Sequence, residues 1–270
     1  PPPTPIEKMT PGPISTVLIT GASSGIGRAL AHEFARDGCE VLLVARRDEA
    51  LRTLAREISM THGVPARVFP ADLTAPGAGQ TLFTHLEAEG TIVDVVVNNA
   101  GFGAQGTVAE IPLDRQLQMI QLNVAALTAL TRLFLPGMLQ RRRGGILNVA
   151  STAAFQPGPY MAVYYATKAY VLSFTEALAE EVAGSGLRIS CLAPGPTATE
   201  FADVAHIEKT PLFAKHVMSA ADVAREGFRG WKQSRPIVVP GASNRRGVLL
   251  VKFAPRAWVR RIVKRLNAKP

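Results

Sequence analysis

Along this chain, short runs of β-branched and other apolar residues alternate with longer stretches in which apolar positions recur every three or four residues. Val17-Leu18-Ile19-Thr20 and residues 40–45, 66–71, 94–97, 146–150, 187–192 and 237–239 read as strands. Amphipathic stretches to about Asp37 and from about Asp48 read as the helices between the first of them. Near-continuous apolar strands separated by helices are buried on both faces, which requires a parallel sheet covered on each side. The pattern predicts an α/β fold: one single-domain Rossmann-type doubly wound parallel sheet with helices on both faces. No internal repeat and no linker interrupts it, and 270 residues lie near the upper end for one domain. The weakly periodic stretch over 199–219 falls where a substrate-covering loop and a short helix would be useful.

Apolar residues make up 47% of the chain and charged residues 19%, enough for a large core and too apolar for disorder. Cys39 and Cys191 stand far apart in apolar surroundings, with neither metal-ligand spacing nor a disulfide framework, so a cytoplasmic setting is expected. No apolar run approaches bilayer length on this reading, and no signal peptide is visible. His32, His62, His85, His206 and His216 are scattered without partner spacing, so neither a catalytic triad nor a metal centre is expected. The net charge of +9 is uneven: residues 228–270 carry 12 Lys/Arg and no Asp/Glu, against 18 basic and 21 acidic residues before them. The surplus therefore describes one C-terminal segment and gives no reason to expect nucleic-acid binding.

Thr20-Gly21-Ala22-Ser23-Ser24-Gly25-Ile26-Gly27 joins the first strand directly to the first helix. Glycines allow a tight turn and close approach to a pyrophosphate, whose charge is attracted by the free N–H groups at the helix start. The spacing is G-x-x-x-G-x-G, not G-x-G-x-x-G, and in this it resembles the classical short-chain dehydrogenase/reductase family. Further motifs carry the resemblance over roughly residues 14–240: Asp72-Leu73, Asn98-Asn99-Ala100-Gly101 and Pro194-Gly195-Pro196-Thr197-Ala198-Thr199. The resemblance implies that Gly21, Ser23, Ser24, Gly25, Ile26 and Gly27 hold the pyrophosphate end. It implies that Asp72 and Leu73 meet the adenine, that Asn98, Ala100 and Gly101 border the ribose, and that Pro194, Gly195, Thr197 and Thr199 meet the nicotinamide and phosphates. After the second strand, Ala45 occupies the place of the acid that would bind a ribose 2′-hydroxyl, and Arg46-Arg47 follow. Guanidinium suits a 2′-phosphate, Arg46 being the better placed and Ser23 able to add a hydroxyl, so NADP(H) is the expected cofactor.

Tyr164 and Lys168 form Y-x-x-x-K, an i, i+4 pair on one helix face. A nearby ammonium lowers the pKa of a phenol and makes it a usable acid and base. Ser151 lies thirteen residues earlier, the family spacing, and would hydrogen-bond the substrate oxygen. The resemblance adds Asn123 as a fourth member that holds a water near the lysine. Tyr160 and Tyr165 do not fit this geometry and read as packing or pocket residues. The expected activity is NADP(H)-dependent interconversion of a carbonyl and an alcohol, with a hydrophobic ketone or aldehyde as small-molecule substrate. A 3-oxoacyl thioester is the rival substrate, and a non-catalytic nucleotide-binding regulator is the rival class. Phe102, Phe155, Tyr160, Phe201 and Phe213 are candidates for an apolar pocket, with no cation in evidence for an anionic substrate.

Residues 1–13, opening on Pro1-Pro2-Pro3-Thr4-Pro5, read as a disordered leader or a cloning remnant, with Met9 as a natural start. The NADP-binding catalytic domain is expected over 14–242 and a basic amphipathic extension over 243–270. The resemblance implies a homodimer or homotetramer pairing through helices around 115–135 and 163–183. In the extension, Pro255 should start a helix to about residue 269, with Trp258, Ile262, Val263 and Leu266 on one face and Arg260, Arg261, Lys264 and Arg265 beside it. That face suits packing on the body or a neighbouring subunit, or peripheral contact of 255–269 with an anionic membrane surface.

Overall fold

The computed structural model describes residues 14–205, 207, 210 and 217–268. The leader over 1–13, Phe213, His206 and His216 lie outside the described residues.

Strands and helices alternate as β1 (Thr16–Thr20), α1 (Gly25–Arg36), β2 (Glu40–Ala45), α2 (Asp48–His62), β3 (Ala66–Pro70), α3 (Ala78–Ala88) and β4 (Val95–Asn98). A long helical segment follows, α4 (Leu113–Ile120) and α5 (Leu127–Arg141), with a π-helical stretch Gln121–Ala126 between them. Then come β5 (Gly145–Val149), α6 (Ala162–Glu181), β6 (Arg188–Leu192), β7 (Thr197–Ala198), α7 (Phe201–Ala205), β8 (Met218–Ser219), α8 (Ala220–Lys232) and β9 (Ile237–Val238). Two helices, α9 (Ala242–Phe253) and α10 (Arg256–Asn267), end the described chain. The main sheet is parallel with order β3-β2-β1-β4-β5-β6-β9, and β7 pairs with β8 beside it.

Strand alternation builds two cores. Val17 and Ile19 of β1, Val41 and Leu43 of β2 and Val95 and Val97 of β4 face one side, against Leu30 and Phe34 of α1 and Val223 and Trp231 of α8. Leu18, Leu42, Val44 and Val96 face the other, against Leu82 and Leu86 of α3 and Leu130 and Phe134 of α5. The chain leaves β3 at one edge and re-enters at β4 on the far side of β1, so a crevice opens at the carboxyl ends of β1 and β4.

Two expectations change. The continuous helix Leu113–Arg141 is long and apolar enough by composition to cross a membrane, contrary to the reading of the sequence. Here Met119, Leu127, Leu130, Phe134 and Met138 are buried within the protein, while Leu113, Leu117, Ile120 and Leu139 are exposed. In α10 the face turned to the body carries Val259, Val263 and Asn267, whereas Trp258 and Ile262 are exposed. Polar contacts set this rotation: Asn267 Nδ2 donates to the Pro159 carbonyl at 3.0 Å, and Gln105 Nε2 donates to the Asn267 carbonyl at 2.6 Å.

Candidate active site

A cavity of about 530 Å³ runs along the crevice from Gly21, Arg46 and Asp72 at one end to Ser151, Tyr164 and Lys168 at the other. At the first end, Gly21 and Gly25 have φ of +67° and +55°, values that favour glycine, and so turn the chain sharply after β1. Ser24 makes no side-chain cap to α1, so the first-turn N–H groups remain free for an anion at the positive end of the helix. Asn99 braces this turn, its amide donating to the carbonyls of Thr20 at 2.9 Å and Gly21 at 3.2 Å. The Thr20 hydroxyl in turn accepts from the N–H groups of Asn99 and Ala100, both at 3.0 Å. Thr199 closes over the turn from the opposite wall, since a Cβ on Gly25 would stand 2.9 Å from its methyl carbon. The donors and the depth of this groove fit a dinucleotide.

Gly27 does not line the cavity. A Cβ there would lie 2.3 Å from the Gly21 carbonyl oxygen and 2.4 Å from Asn99 Nδ2, so its role is to let α1 pack against the turn. Gly27→Ala must therefore displace backbone, and the expected result is a lower Tm together with loss of measurable NADPH binding. Unchanged values in a thermal melt and an NADPH titration would contradict this.

The arginines separate cleanly. Arg47 pairs with Glu200 at 2.8 Å and also donates to the Ser23 hydroxyl at 3.1 Å, spanning the cleft from the end of β2 to the wall before α7. Arg46 has no ion pair among the described residues. Arg115 of α4, not singled out from the sequence, enters the same cavity with its guanidinium 4.0 Å over the Phe102 ring. Burial and the charge of Arg46 both depress the Arg115 pKa, so two mutually repelling cations face one groove. Asp72 accepts from the Thr74 N–H at 2.9 Å and hydroxyl at 2.8 Å, contacts that hold its carboxyl below the usual range.

At the other end, α6 carries Tyr164 and Lys168, both buried, onto the strand ends. Ser151, directly after β5 and Ala150, caps the 3-10 turn Thr152–Phe155, its hydroxyl accepting from the Ala153 N–H at 3.1 Å and donating to the Pro194 carbonyl at 3.3 Å. Ser151 stands beside the Tyr164 phenol, close enough to oppose the upward push of burial on it. Lys168 Nζ donates to the Val149 carbonyl at 2.8 Å and lies 5.9 Å from the Tyr164 ring centre. The sequence predicted a phenol lowered by this ammonium, but burial dominates in the structure. It raises the Tyr164 pKa, with Ser151 opposing, and pulls Lys168 down to about 8.

Asn123 sits in the π-helical stretch, buried, and is not in the cavity wall. Its amide accepts from the Phe102 N–H at 3.1 Å and donates to the Phe102 carbonyl at 3.0 Å and to Thr167 Oγ1 at 3.0 Å. The side chain thus clamps the loop after β4, and it flanks Gly101 together with Lys168: a Cβ on that glycine would stand 2.9 Å from Asn123 Oδ1 and 3.5 Å from Lys168 Nζ. Asn98 also departs from expectation: it is buried in the sheet, donating to Asn148 Oδ1 at 2.9 Å and Thr131 Oγ1 at 3.2 Å, and Asn99 lines the cavity in its place.

Much of the remaining cavity wall is apolar, with Gln118 and Gln156 among its polar members. Phe102, Met161, Tyr165, Phe201, Val204 and Ile207 line it, whereas Phe155 and Tyr160 do not. Tyr165 donates to Asn267 Oδ1 at 3.2 Å, tying the wall to α10. At the opposite corner, a Cβ on Gly195 would lie 2.3 Å from Asn244 Oδ1 of α9. The C-terminal helices are therefore packed on the site and are not a detached extension.

The sequence profile of the short chain dehydrogenases matches residues 15–209. A very-long-chain 3-oxoacyl-CoA reductase of Anas platyrhynchos is 35% identical over 200 residues, 72% of this chain and 63% of that protein. A 17-beta-hydroxysteroid dehydrogenase type 3 of Mus musculus is 35% identical over 184 residues, 67% of this chain and 60% of that one. The chain thus spans about six-tenths of the length of these curated relatives. Among solved structures, a short-chain dehydrogenase from Sphingobium yanoikuyae in complex with NADPH superposes with a TM-score of 0.80 at 31% identity, covering 90% of this chain and 98% of that one. The chain belongs to the classical short-chain dehydrogenase/reductase family.

Proposed function

We propose that this protein is an NADP(H)-dependent oxidoreductase that interconverts a carbonyl and an alcohol, acting mainly as a reductase of hydrophobic ketones or aldehydes. The observation that carries this reading is that Ser151 and the buried Tyr164 and Lys168 line one end of a cavity whose other end has a glycine turn. Bound there, the reduced nicotinamide would supply hydride to the carbonyl carbon. Tyr164 donates the proton to the substrate oxygen, and Ser151 steadies that oxygen as charge develops. Lys168 holds the nicotinamide ribose and keeps positive charge beneath the phenol. Asn123 fixes the backbone of Phe102, which lines the cavity. A non-catalytic nucleotide binder would have no use for a buried phenol and lysine set beside a serine hydroxyl.

The cofactor preference rests on Arg46 and Arg115, two cations facing one groove and without carboxylate partners among the described residues, next to Ala45 in the place of an acid. The substrate preference rests on the apolar wall from Phe102 to Ile207. A 3-oxoacyl thioester is the second reading, favoured by the likeness to the 3-oxoacyl-CoA reductase of Anas platyrhynchos. NADPH oxidation against a panel of apolar ketones, aldehydes and 3-oxoacyl thioesters separates the two, and no turnover with any of them would reject both.

The pH profile follows from the buried lysine. With its pKa depressed to about 8, Lys168 is an ammonium below that pH and an amine above it. Tyr164, pushed upward, stays protonated throughout this range. Reductive kcat/KM should therefore fall as pH rises through about 8. A profile flat far into the alkaline range, or the same inflection in Lys168→Ala, would assign the titration elsewhere.

A further inference from the structure

The C-terminal helix pair leaves a large apolar surface without a partner among the described residues. Leu249, Leu250 and Phe253 of α9 are 58%, 71% and 79% exposed, and Trp258 and Ile262 of α10 are 63% and 55% exposed. Leu249 and Phe253 stand at i, i+4 spacing, with Leu250 at i, i+3 to Phe253, and Trp258 and Ile262 stand at i, i+4, so each helix carries an apolar stripe. Large apolar side chains exposed together in this way mark an interaction site. The two helices contain eight Lys/Arg and no Asp/Glu, and Arg246, Lys252, Arg261 and Arg265 are exposed alongside the stripes.

The stripes are not the idle side of loosely attached helices. Val259 and Val263 are buried in the same cluster as Tyr164 and Tyr165, and Asn267 binds Tyr165 and Pro159. In α9, Arg245 pairs with Glu226 at 3.2 Å and Asn244 donates to the Pro240 carbonyl at 2.8 Å. One face of each helix is thus fixed on the body, and the other is held toward solvent.

We propose that the α9–α10 face docks on an anionic lipid bilayer, with Leu250, Phe253 and Trp258 entering the headgroup boundary and the flanking Lys/Arg meeting lipid phosphates. The charge selects this occupant: apolar side chains framed by cations of a single sign complement an anionic surface. A two-fold contact between copies would instead set eight cations against eight. Docking also links the bilayer to the site through α10, whose buried Asn267 bonds the cavity-lining Tyr165.

Flotation of the full chain with vesicles of phosphatidylcholine alone, or with added phosphatidylserine, tests the proposal. Binding is expected only with phosphatidylserine and should be released by high salt. Trp emission should shift to the blue on binding, and the reporter is unambiguous because the chain has two Trp and Trp231 is buried. The double variant F253E/W258E, altered only at exposed positions, should lose roughly tenfold or more of vesicle partition while keeping turnover of a soluble ketone. No flotation by the unmodified chain overturns the proposal, as does equal binding to neutral vesicles or undiminished binding by the double variant. A dimer that F253E/W258E dissociates, without vesicle binding, would assign the face to a second copy and equally overturn it.

Discussion

Tyr164→Phe is expected to lower kcat for carbonyl reduction by about 10²–10⁴-fold, the usual worth of a positioned general acid, while NADPH affinity stays within about twofold. The substitution removes one hydroxyl and leaves the ring, which packs at 5.3 Å from Phe201 and 6.0 Å from Tyr165. The cavity keeps its shape, and Ser151 keeps its bonds to Ala153 and Pro194. Only proton donation is lost, so stopped turnover with intact fluorescence-detected NADPH binding is the signature. Tyr165→Phe is the control. Its hydroxyl meets Asn267 and not Ser151, so its loss should cost about 1 kcal/mol of stability with little change in chemistry. Substantial activity in Tyr164→Phe, or an equal loss in Tyr165→Phe, would put the acid on another group.

Arg46→Ala should raise KM for NADPH by about 10–100-fold, as expected from about 1.5–3 kcal/mol for a hydrogen bond to a charged group. Neither kcat nor KM for NADH should move much, since the contact is remote from the reacting atoms. Arg47→Ala should show a smaller loss, because that guanidinium is already committed to Glu200 and Ser23. Arg115 is expected to retain part of the preference in Arg46→Ala, as its guanidinium faces the same groove. Steady-state kinetics with both cofactors measure all of this. Equal kcat/KM with NADH and NADPH in the unmodified protein would end the argument for a 2′-phosphate site.

Much of the site could be read without coordinates because it depends on local spacing. Strands buried on both faces must be apolar nearly throughout, so β1, β2, β4 and β5 announced themselves. A glycine turn between a strand and a helix has one main use, and Tyr164 and Lys168 share a helix face at any fold-level arrangement. Asn98 and Asn99 show where this stops. They are neighbours of the same type, and only strand alternation in the assembled sheet sends Asn98 inward to Asn148 and leaves Asn99 on the turn.

The sequence alone determined the parallel α/β fold, the order of its elements and the pairing of Tyr164 with Lys168, because backbone periodicity and short-range spacing fix these; Ser151 joined them through the family resemblance. Tertiary structure decided what depends on residues distant in the chain. It turned the Asn123 amide onto Phe102, brought Arg115 and Arg46 to one groove, and joined Arg47 to Glu200 across the cleft. It also set the phenol and lysine pKa values through burial, a property of the whole packed environment. In α10 the periodicity allowed more than one apolar face, and the bonds of Asn267 to Tyr165 and Pro159 chose Val259 and Val263 for the core, leaving Trp258 and Ile262 outside. Helical spacing defines faces; only a partner surface determines which one is buried.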